Sequence, residues 1–349
     1  MEYKVIGLMS GTSLDGVDLA FCTFKKEDDW SYEILATKTY PYSDHWLEIL
    51  RNISFVNKEH LEVINKDLGS YYADLITDFC DTNHLIPDIV SSHGHTVHHQ
   101  PEKGYTLQIG SGGVIASHIR TTTINDFRSK DLKLGGQGAP LVPLGDELLF
   151  SEYDQCLNLG GFANISFNNG KRVAYDICPC NMMLNELSLK IDLPYDKDGE
   201  IARYGDIDSS LLKELNALEY YSLPFPKSLG REWYLENILS LLEKSKASIP
   251  EKLATCTEHI AHQVSNSINR NGSGKILLTG GGSYNKFLIE KLDNKTTGTI
   301  VIPDPTIIDF KEAMIFAFLG VLRIRNEVNV LSSVTGANKD HCSGVIHNP

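Results

Sequence analysis

GLMSGTSLDGVD, residues 7–18, is the stretch whose reading decides the fold. Val5, Ile6 and Leu8 read as a short buried strand that breaks at Ser10, Gly11, Thr12 and Ser13, and alternation resumes through Val17, Leu19 and Phe21. A strand, a tight Gly/Ser/Thr turn and a second strand is the layout of a phosphate cradle in a hairpin loop. Small residues there let backbone N–H groups approach an anion, and hydroxyls add donors. An ordinary Gly-rich turn gives much the same pattern. Asp15 and Asp18 sit in or beside the turn. Carboxylates repel phosphates, so the pair implies either a metal ion between them or an Asp that only braces the loop.

The pattern recurs. LNLGGFANIS (157–166) is again strand, Gly turn, strand, and LLTGGGSYN (277–285) links a strand to a helix through three glycines. Two similar hairpins in the two halves suggest duplicated domains facing each other across a nucleotide cleft. Gly11, Thr12, Ser13, Leu14, Asp15, Gly16, Val17 and Asp18 would hold the phosphates from one side and Gly160 and Gly161 from the other. Gly280, Gly281 and Gly282 would pass beside the base or ribose, where only glycine allows so close a backbone. Neither G-x-x-x-x-G-K-[ST] nor a G-x-G-x-x-G after a strand occurs.

The 349 residues, 42% hydrophobic, are enough to bury a large core and to divide into two domains. A net charge of −13 argues against a nucleic-acid partner, which would want a basic face. The N-terminus lacks the features of a signal peptide, and the longest apolar run, 313–322, is about half of what spans a bilayer. Seven scattered cysteines read as reduced thiols. A cytoplasmic protein with no membrane partner is expected.

Strands and helices alternate, the mark of an α/β protein. Leu61, Ile64, Leu68, Tyr71, Leu75 and Phe79 recur at helical spacing, predicting a helix over 58–81. Further helices are expected over 181–191, 251–270, from 286, and over 311–325, with a strand over 275–279. LGGQGAPLVP (134–143) is the clearest composition break and a candidate crossover between domains. The segment 331–344 reads as a polar coil. These edges give an N-terminal domain of 1–135 plus 332–349 and a C-terminal domain of 136–331.

At this point the residues resemble the anhydro-N-acetylmuramic acid kinases, of the sugar kinase, Hsp70 and actin superfamily. The likeness begins in GLMSGTSLDGVD and continues through SHGHTVHHQP (92–101), TLQIG (106–110) and NDFRSKDLKLGGQGAPLVP (125–143). It runs on through LNLGGFANIS, YDKDGEIA (195–202), PKSLGRE (226–232), LLTGGGSYN and SSVTGA (332–337). The resemblance implies a two-domain, actin-like (ribonuclease H-like) α/β fold with a central nucleotide cleft. It implies an enzyme that uses ATP and Mg²⁺ to convert 1,6-anhydro-N-acetylmuramic acid to N-acetylmuramic acid 6-phosphate, and it suggests a homodimer. One departure stands out: where the family usually reads D-T-G-P-G-N, this chain has DICPCN (176–181), with cysteines 178 and 180 for the two glycines.

Opening a 1,6-anhydro ring needs water at C1 while O6 leaves, and O6 can be trapped by phosphate. One general base then suffices, and Asp176 is the candidate. Its plainer reading is a helix cap at a strand–helix junction. Glu312 is expected near the sugar, against the alternative that it merely suits a helix dipole in a first turn. Arg128 is a candidate for holding the lactyl carboxylate, against a surface salt bridge. Thr96 is the preferred sugar contact in SHGHTVHHQP. That block's four histidines invite a transition-metal reading, but Asp126 and Asp131 stand at no recognised metal spacing. Cys178 and Cys180, a lone C-x-C, are a poor zinc motif. Asp15 or Asp18 could reach Mg²⁺. The rivals are a kinase of a free sugar hydroxyl, a non-catalytic actin-like ATPase and a metal-dependent hydrolase.

Overall fold

The computed structural model describes every residue except Thr12. Its strands are β1 (Glu2–Ser10), β2 (Val17–Lys26), β3 (Trp30–Tyr40), β4 (Ile89–Gln100), β5 (Tyr105–Ile109) and β6 (Thr122–Asn125). They continue with β7 (Gln155–Leu159), β8 (Phe162–Asn168), β9 (Arg172–Pro179), β10 (Lys275–Thr279), β11 (Thr299–Val301) and β12 (Val345–His347). Two sheets result. One has the order β12-β6-β4-β1-β2-β3 with β5 paired to β4, the other β11-β10-β7-β8-β9.

The two sheets share one plan. In each, three consecutive strands form antiparallel hairpins (β1-β2-β3 and β7-β8-β9). The first of the three then pairs in parallel with a strand reached through a crossover (β4 and β10), which pairs in parallel with the next (β6 and β11). This five-stranded order, repeated, is the ribonuclease H-like arrangement of actin-like ATPases. The two Gly turns that suggested a duplication occupy the same place in both copies, between the first and second strands.

Two compact units carry the sheets: Met1–Phe150 with Phe310–Pro349, and Ser151–Asp309. The Gly/Pro-rich passage 134–143 therefore lies inside the first unit, not at its edge. Its residues wrap a buried carboxylate. Asp131 accepts from the Gly138 N–H at 2.6 Å and from the Thr335 hydroxyl at 2.7 Å.

The helix Lys58–Asn83 runs two residues beyond the expected 58–81. Asn57 caps it by accepting from the His60 N–H, and His84 ends it in the left-handed region. It buries Leu68, Tyr72, Ile76 and Phe79 against the apolar side chains of β1 and β2. In the second unit the helix Ile249–Arg270 starts at a capping box between Ser248 and Glu251 and buries Leu253, Ile260, Val264 and Ile268.

Two expectations differ. The 311–325 helix begins at Pro305: Asp304 accepts from the Thr306 N–H, and Pro305 suits a first helical position. Glu312 is thus two turns in, and a first-turn dipole role does not apply to it. The 331–344 tail is ordered, not coil. It forms the short helix Ser332–Thr335 and a bridge between Val330 and His341, and then β12 pairs with β6. Main-chain and buried side-chain bonds hold it, the Asp131–Thr335 bond and the pair between Asn329 and Ser343 among them.

Candidate functional site

In the first unit the candidates gather where β1 ends. Ser10 closes β1, and the loop from Gly11 leads to Gly16 and into Val17 and Asp18 on β2. The Leu14 N–H donates to the Gly11 carbonyl, turning the chain between them. Ser13 and Asp15 are exposed. Gly16 packs so near the Tyr40 carbonyl that a Cβ would sit 2.5 Å from it, whereas in front of Gly11 only the Ser13 side chain and N–H come within 4 Å. Gly16 is therefore demanded by packing, and Gly11 leaves room for another group. Thr12 lies outside the described residues.

Behind the loop runs a buried chain of hydroxyls. The Ser10 Oγ is 2.6 Å from the Tyr42 hydroxyl and 3.0 Å from His95 Nδ1, and Tyr42 is 3.1 Å from the Tyr72 hydroxyl. Burial pushes the His95 pKa down to about 4, so it is neutral. Asp18 accepts from the Thr39 hydroxyl at 2.6 Å.

Arg128 is no surface salt bridge. Its Nε and Nη2 lie 3.2 and 2.8 Å from His93 Nε2, and its Nη1 donates to the Gly138 carbonyl at 2.6 Å. Since arginine only donates, His93 Nε2 is the acceptor, and Nδ1 carries the proton toward the Gly94 carbonyl, 2.9 Å away. Burial, then the Arg128 charge, holds His93 well below the ordinary histidine range. Burial brings Arg128 down to about 10, with Glu312 and then Asp131 pulling it back up.

Glu312 is placed by the helix Pro305–Ile324, which lies so close to β1 that a Cβ on Gly7 would be 1.9 Å from the Ala313 carbonyl. Its side chain is exposed, yet the protein around it raises its pKa, with Lys311 and Arg128 opposing and Asp18 and Asp146 adding to the rise. Glu312 is therefore in electrostatic reach of both Arg128 and Asp18. Thr96 lies on β4 beside Gln108 of β5, whose Nε2 is 3.4 Å from its hydroxyl. Among the described residues no three His, Cys, Asp or Glu are grouped to hold a metal.

In the second unit Asp176 sits inside β9, not after it, and it does not cap the following helix, Asn181–Leu189, whose cap position is Cys180. Instead the loop 220–229 holds it. The Asp176 N–H donates to the Lys227 carbonyl, Tyr220 donates to the Asp176 carbonyl, and Oδ2 accepts from the Leu229 N–H at 2.8 Å. Burial raises its pKa to about 6, against the lowering effect of the Leu229 bond.

Gly160, Gly161 and the 280–282 turn come together around Asn181. Asn181 Nδ2 donates to the Leu159 carbonyl, and the first N–H groups of the 181–189 helix go to the Gly160 and Gly161 carbonyls. Gly280 has φ +83° and would carry a Cβ 2.5 Å from Asn158 Oδ1, and Gly282 one 2.7 Å from the Leu159 Cβ. Gly161 and Gly281 are open, with nothing nearer than 3.7 Å. Neither Cys178 nor Cys180 has a positive φ and both are fully buried, but Cys180, at φ −126° and ψ −102°, lies outside the usual helical and extended regions, where glycine would be less strained.

The profile described as "Anhydro-N-acetylmuramic acid kinase" matches residues 3–349. The curated anhydro-N-acetylmuramic acid kinase of Vibrio cholerae is 36% identical, covering 99% of this chain and 98% of its own. That of Sulfurimonas denitrificans is 34% identical, covering 99% and 100%, and that of Francisella tularensis subsp. novicida 34%, covering 99% of both. The chain belongs to the anhydro-N-acetylmuramic acid kinase family. Among solved structures, component A of the Acidaminococcus fermentans (R)-2-hydroxyglutaryl-CoA dehydratase aligns at 13% identity and a TM-score of 0.46, over 90% of this chain and 96% of that one. No helix is long and apolar enough to cross a membrane among the described residues.

The motifs in the sequence point to Asp176 and Arg128, and a carboxylate at an expected helix start points to Glu312, but neither signal shows what holds these side chains. His93 had a signal, the SHGH block, that reads as easily for a metal. Leu229 had almost none, because its contribution is a main-chain N–H inside PKSLGRE.

Proposed function

We propose that this kinase opens 1,6-anhydro-N-acetylmuramic acid with Asp176 as the general base. Asp176 takes a proton from water as the water oxygen bonds C1. The C1–O6 bond breaks, O6 bonds the γ-phosphorus, and the bond from that phosphorus to the ADP oxygen breaks. Water's second hydrogen stays on the new C1 hydroxyl, so the products are N-acetylmuramic acid 6-phosphate and ADP. The observation that carries this reading is the buried carboxylate of Asp176, its Oδ2 held by the Leu229 N–H at 2.8 Å: burial raises its pKa to about 6, so it is ionised at neutral pH yet basic enough to accept a proton.

Arg128 suits the lactyl carboxylate. His93 and Gly138 engage three of its five N–H groups, and two remain for a planar bidentate partner. His93, held neutral, fixes the guanidinium without competing for its charge. Glu312 and Thr96 are assigned to sugar hydroxyls. The loop from Gly11 to Asp18 is assigned to the ATP phosphates together with Gly160 and Gly161, the open space at Gly11 and Gly161 fitting close approach. Gly280, Gly281 and Gly282 are assigned to the adenosine, with Gly281 the exposed member.

An oxygen donor set with few protein ligands fits Mg²⁺, which keeps waters and binds through one or two carboxylates and the substrate phosphates. Asp18, held by Thr39, and the exposed Asp15 are the residues that would hold it, and when bound it would neutralise charge on the β- and γ-oxygens. Soluble cytoplasmic operation and a homodimer complete the proposal.

The test is incubation with ATP and the anhydro sugar in H₂¹⁸O. Label at C1 of the phosphosugar, with none in its phosphate, is expected. Phosphorylation of free N-acetylmuramic acid at an equal rate would favour a plain sugar kinase instead.

A further inference from the structure

A cavity of about 470 Å³ in the second unit has no part in the chemistry above. Its walls come from the β8–β9 hairpin, the 221–227 loop and the last turns of the helix Ile249–Arg270. Two cations line it, Lys227 and Arg270, and no carboxylate does, in a chain with 45 acidic residues against 32 basic ones. Among the described residues neither cation makes an ion pair. The Lys227 Nζ donates to the Tyr220 carbonyl and lies over the Tyr175 and Tyr220 rings, and among the described residues the Arg270 side chain has no hydrogen-bond partner. The remaining polar lining is amide-rich, and Asn271 Nδ2 is buried there without an acceptor. One wall is the parallel stack of Tyr175 on Phe225, with centroids 5.7 Å apart and planes 4° apart.

Unopposed cations, amides and an aromatic wall in a cavity of this size suit a small anionic ligand with hydroxyls and an apolar ring face. We propose that this cavity is a second ligand site, distinct from the reaction centre, for a phosphorylated sugar, and that its occupancy is felt at Asp176. The coupling part rests on the reading of Asp176 as the base.

The path is short and covalent. Lys227 lines the cavity, its carbonyl accepts the Asp176 N–H, and two residues on the Leu229 N–H donates to Asp176 Oδ2. A phosphate that draws Lys227 toward Arg270 moves the same three-residue segment that holds the base. Coupling of this kind is reciprocal, so substrate binding would alter affinity at the cavity in turn.

The experiment is calorimetric titration of the full chain with N-acetylglucosamine 6-phosphate, N-acetylglucosamine and inorganic phosphate as probes. The phosphosugar is expected to bind saturably and at least tenfold tighter than either other probe. Arg270→Gln should weaken it tenfold or more while leaving kcat without probe within twofold, and Asn271→Ala should weaken it independently. Saturating probe should move the acid limb of the kcat profile. Equal binding of all three probes, indifference to Arg270→Gln, or purely competitive displacement by the anhydro sugar, with probe affinity falling without limit as the sugar is raised, would each overturn the site. Binding with an unmoved limb would overturn the coupling. Arg270-dependent binding by a chain that cannot phosphorylate the anhydro sugar would sink the proposed function and leave the site standing.

Discussion

Arg128 donates to His93 from both Nε and Nη2, at 3.2 and 2.8 Å, and so has a neutral partner rather than a carboxylate one. A guanidinium held this way keeps its charge available. Replacing it with lysine would keep charge but lose the planar fork. Arg128→Lys should lower kcat/KM for the anhydro sugar about 100-fold, about 3 kcal/mol, mostly through KM. KM for ATP should stay within about twofold. Equal losses for both substrates would place Arg128 elsewhere in the cycle.

Asp176 makes a pH prediction. Its pKa is raised to about 6 by burial, and a base works only when ionised, so kcat should climb with pH through about 6 and then level. Asp176→Asn can still accept from the Leu229 N–H, so the fold should survive while kcat falls by about 10²–10⁴. Rates should be read from pH 4.5 to 8.5. A profile flat across that range would remove Asp176 as the base.

The sequence carried the architecture because its two Gly turns break apolar strands at equivalent places, and apolar alternation on either side marks the strands. Motif likeness singles out Asp176 and Arg128 as candidates, and Glu312 is singled out as a carboxylate on the expected 311–325 helix. The sequence did not carry their neighbourhoods, which are made across the fold. Arg128 meets His93 thirty-five residues away, and Asp176 is held by the main chain of Leu229 fifty-three residues on. A main-chain donor has no residue-type signature. The early start of the 305–324 helix was hidden for a related reason. Its signal is the Asp304 cap and Pro305, which read equally as a turn before a strand end. The tail 331–344 looked like coil because its anchors are polar, and buried polar anchors such as Asp131 on Thr335 have no periodicity to read.

Gly7 tests how Glu312 is placed. An alanine there would bring its Cβ to 1.9 Å from the Ala313 carbonyl, backbone that cannot swing aside as a side chain would. The helix Pro305–Ile324 must then shift away from β1, carrying Glu312 with it. Gly7→Ala should cost about 1–3 kcal/mol of stability by overpacking. It should also lower kcat more than Leu8→Ile, a volume-conserving change at the next buried position. Urea midpoints and kcat for the two variants decide it. Unaltered kcat in a destabilised Gly7→Ala would detach Glu312 from the chemistry.

His259 gives the last prediction, on stability and pH. Its Nδ1 is 2.7 Å from Asn216 Oδ1 and its Nε2 is 2.9 Å from the Tyr221 hydroxyl, so the neutral ring donates at one nitrogen and accepts at the other. Burial lowers its pKa to about 3. The unfolded chain takes up a proton below about 6.5 that the folded one refuses until about 3, so the stabilisation is complete above 6.5 and is lost as pH falls through that window. His95, lowered to about 4, acts in the same direction, while Asp176, raised to about 6, acts in the opposite one between about 6 and 3.8. His259→Gln removes one of these protons. The variant should lose about 1–2 kcal/mol at pH 7.5, where the ring's two hydrogen bonds are incompletely replaced. Its dependence on pH between 6 and 4 should be shallower by about 1.4 kcal/mol per pH unit. The two curves should therefore converge and cross between pH 6 and 5 in urea unfolding. Parallel curves would mean that His259 takes its proton equally in both states, and the buried neutral ring would be wrong.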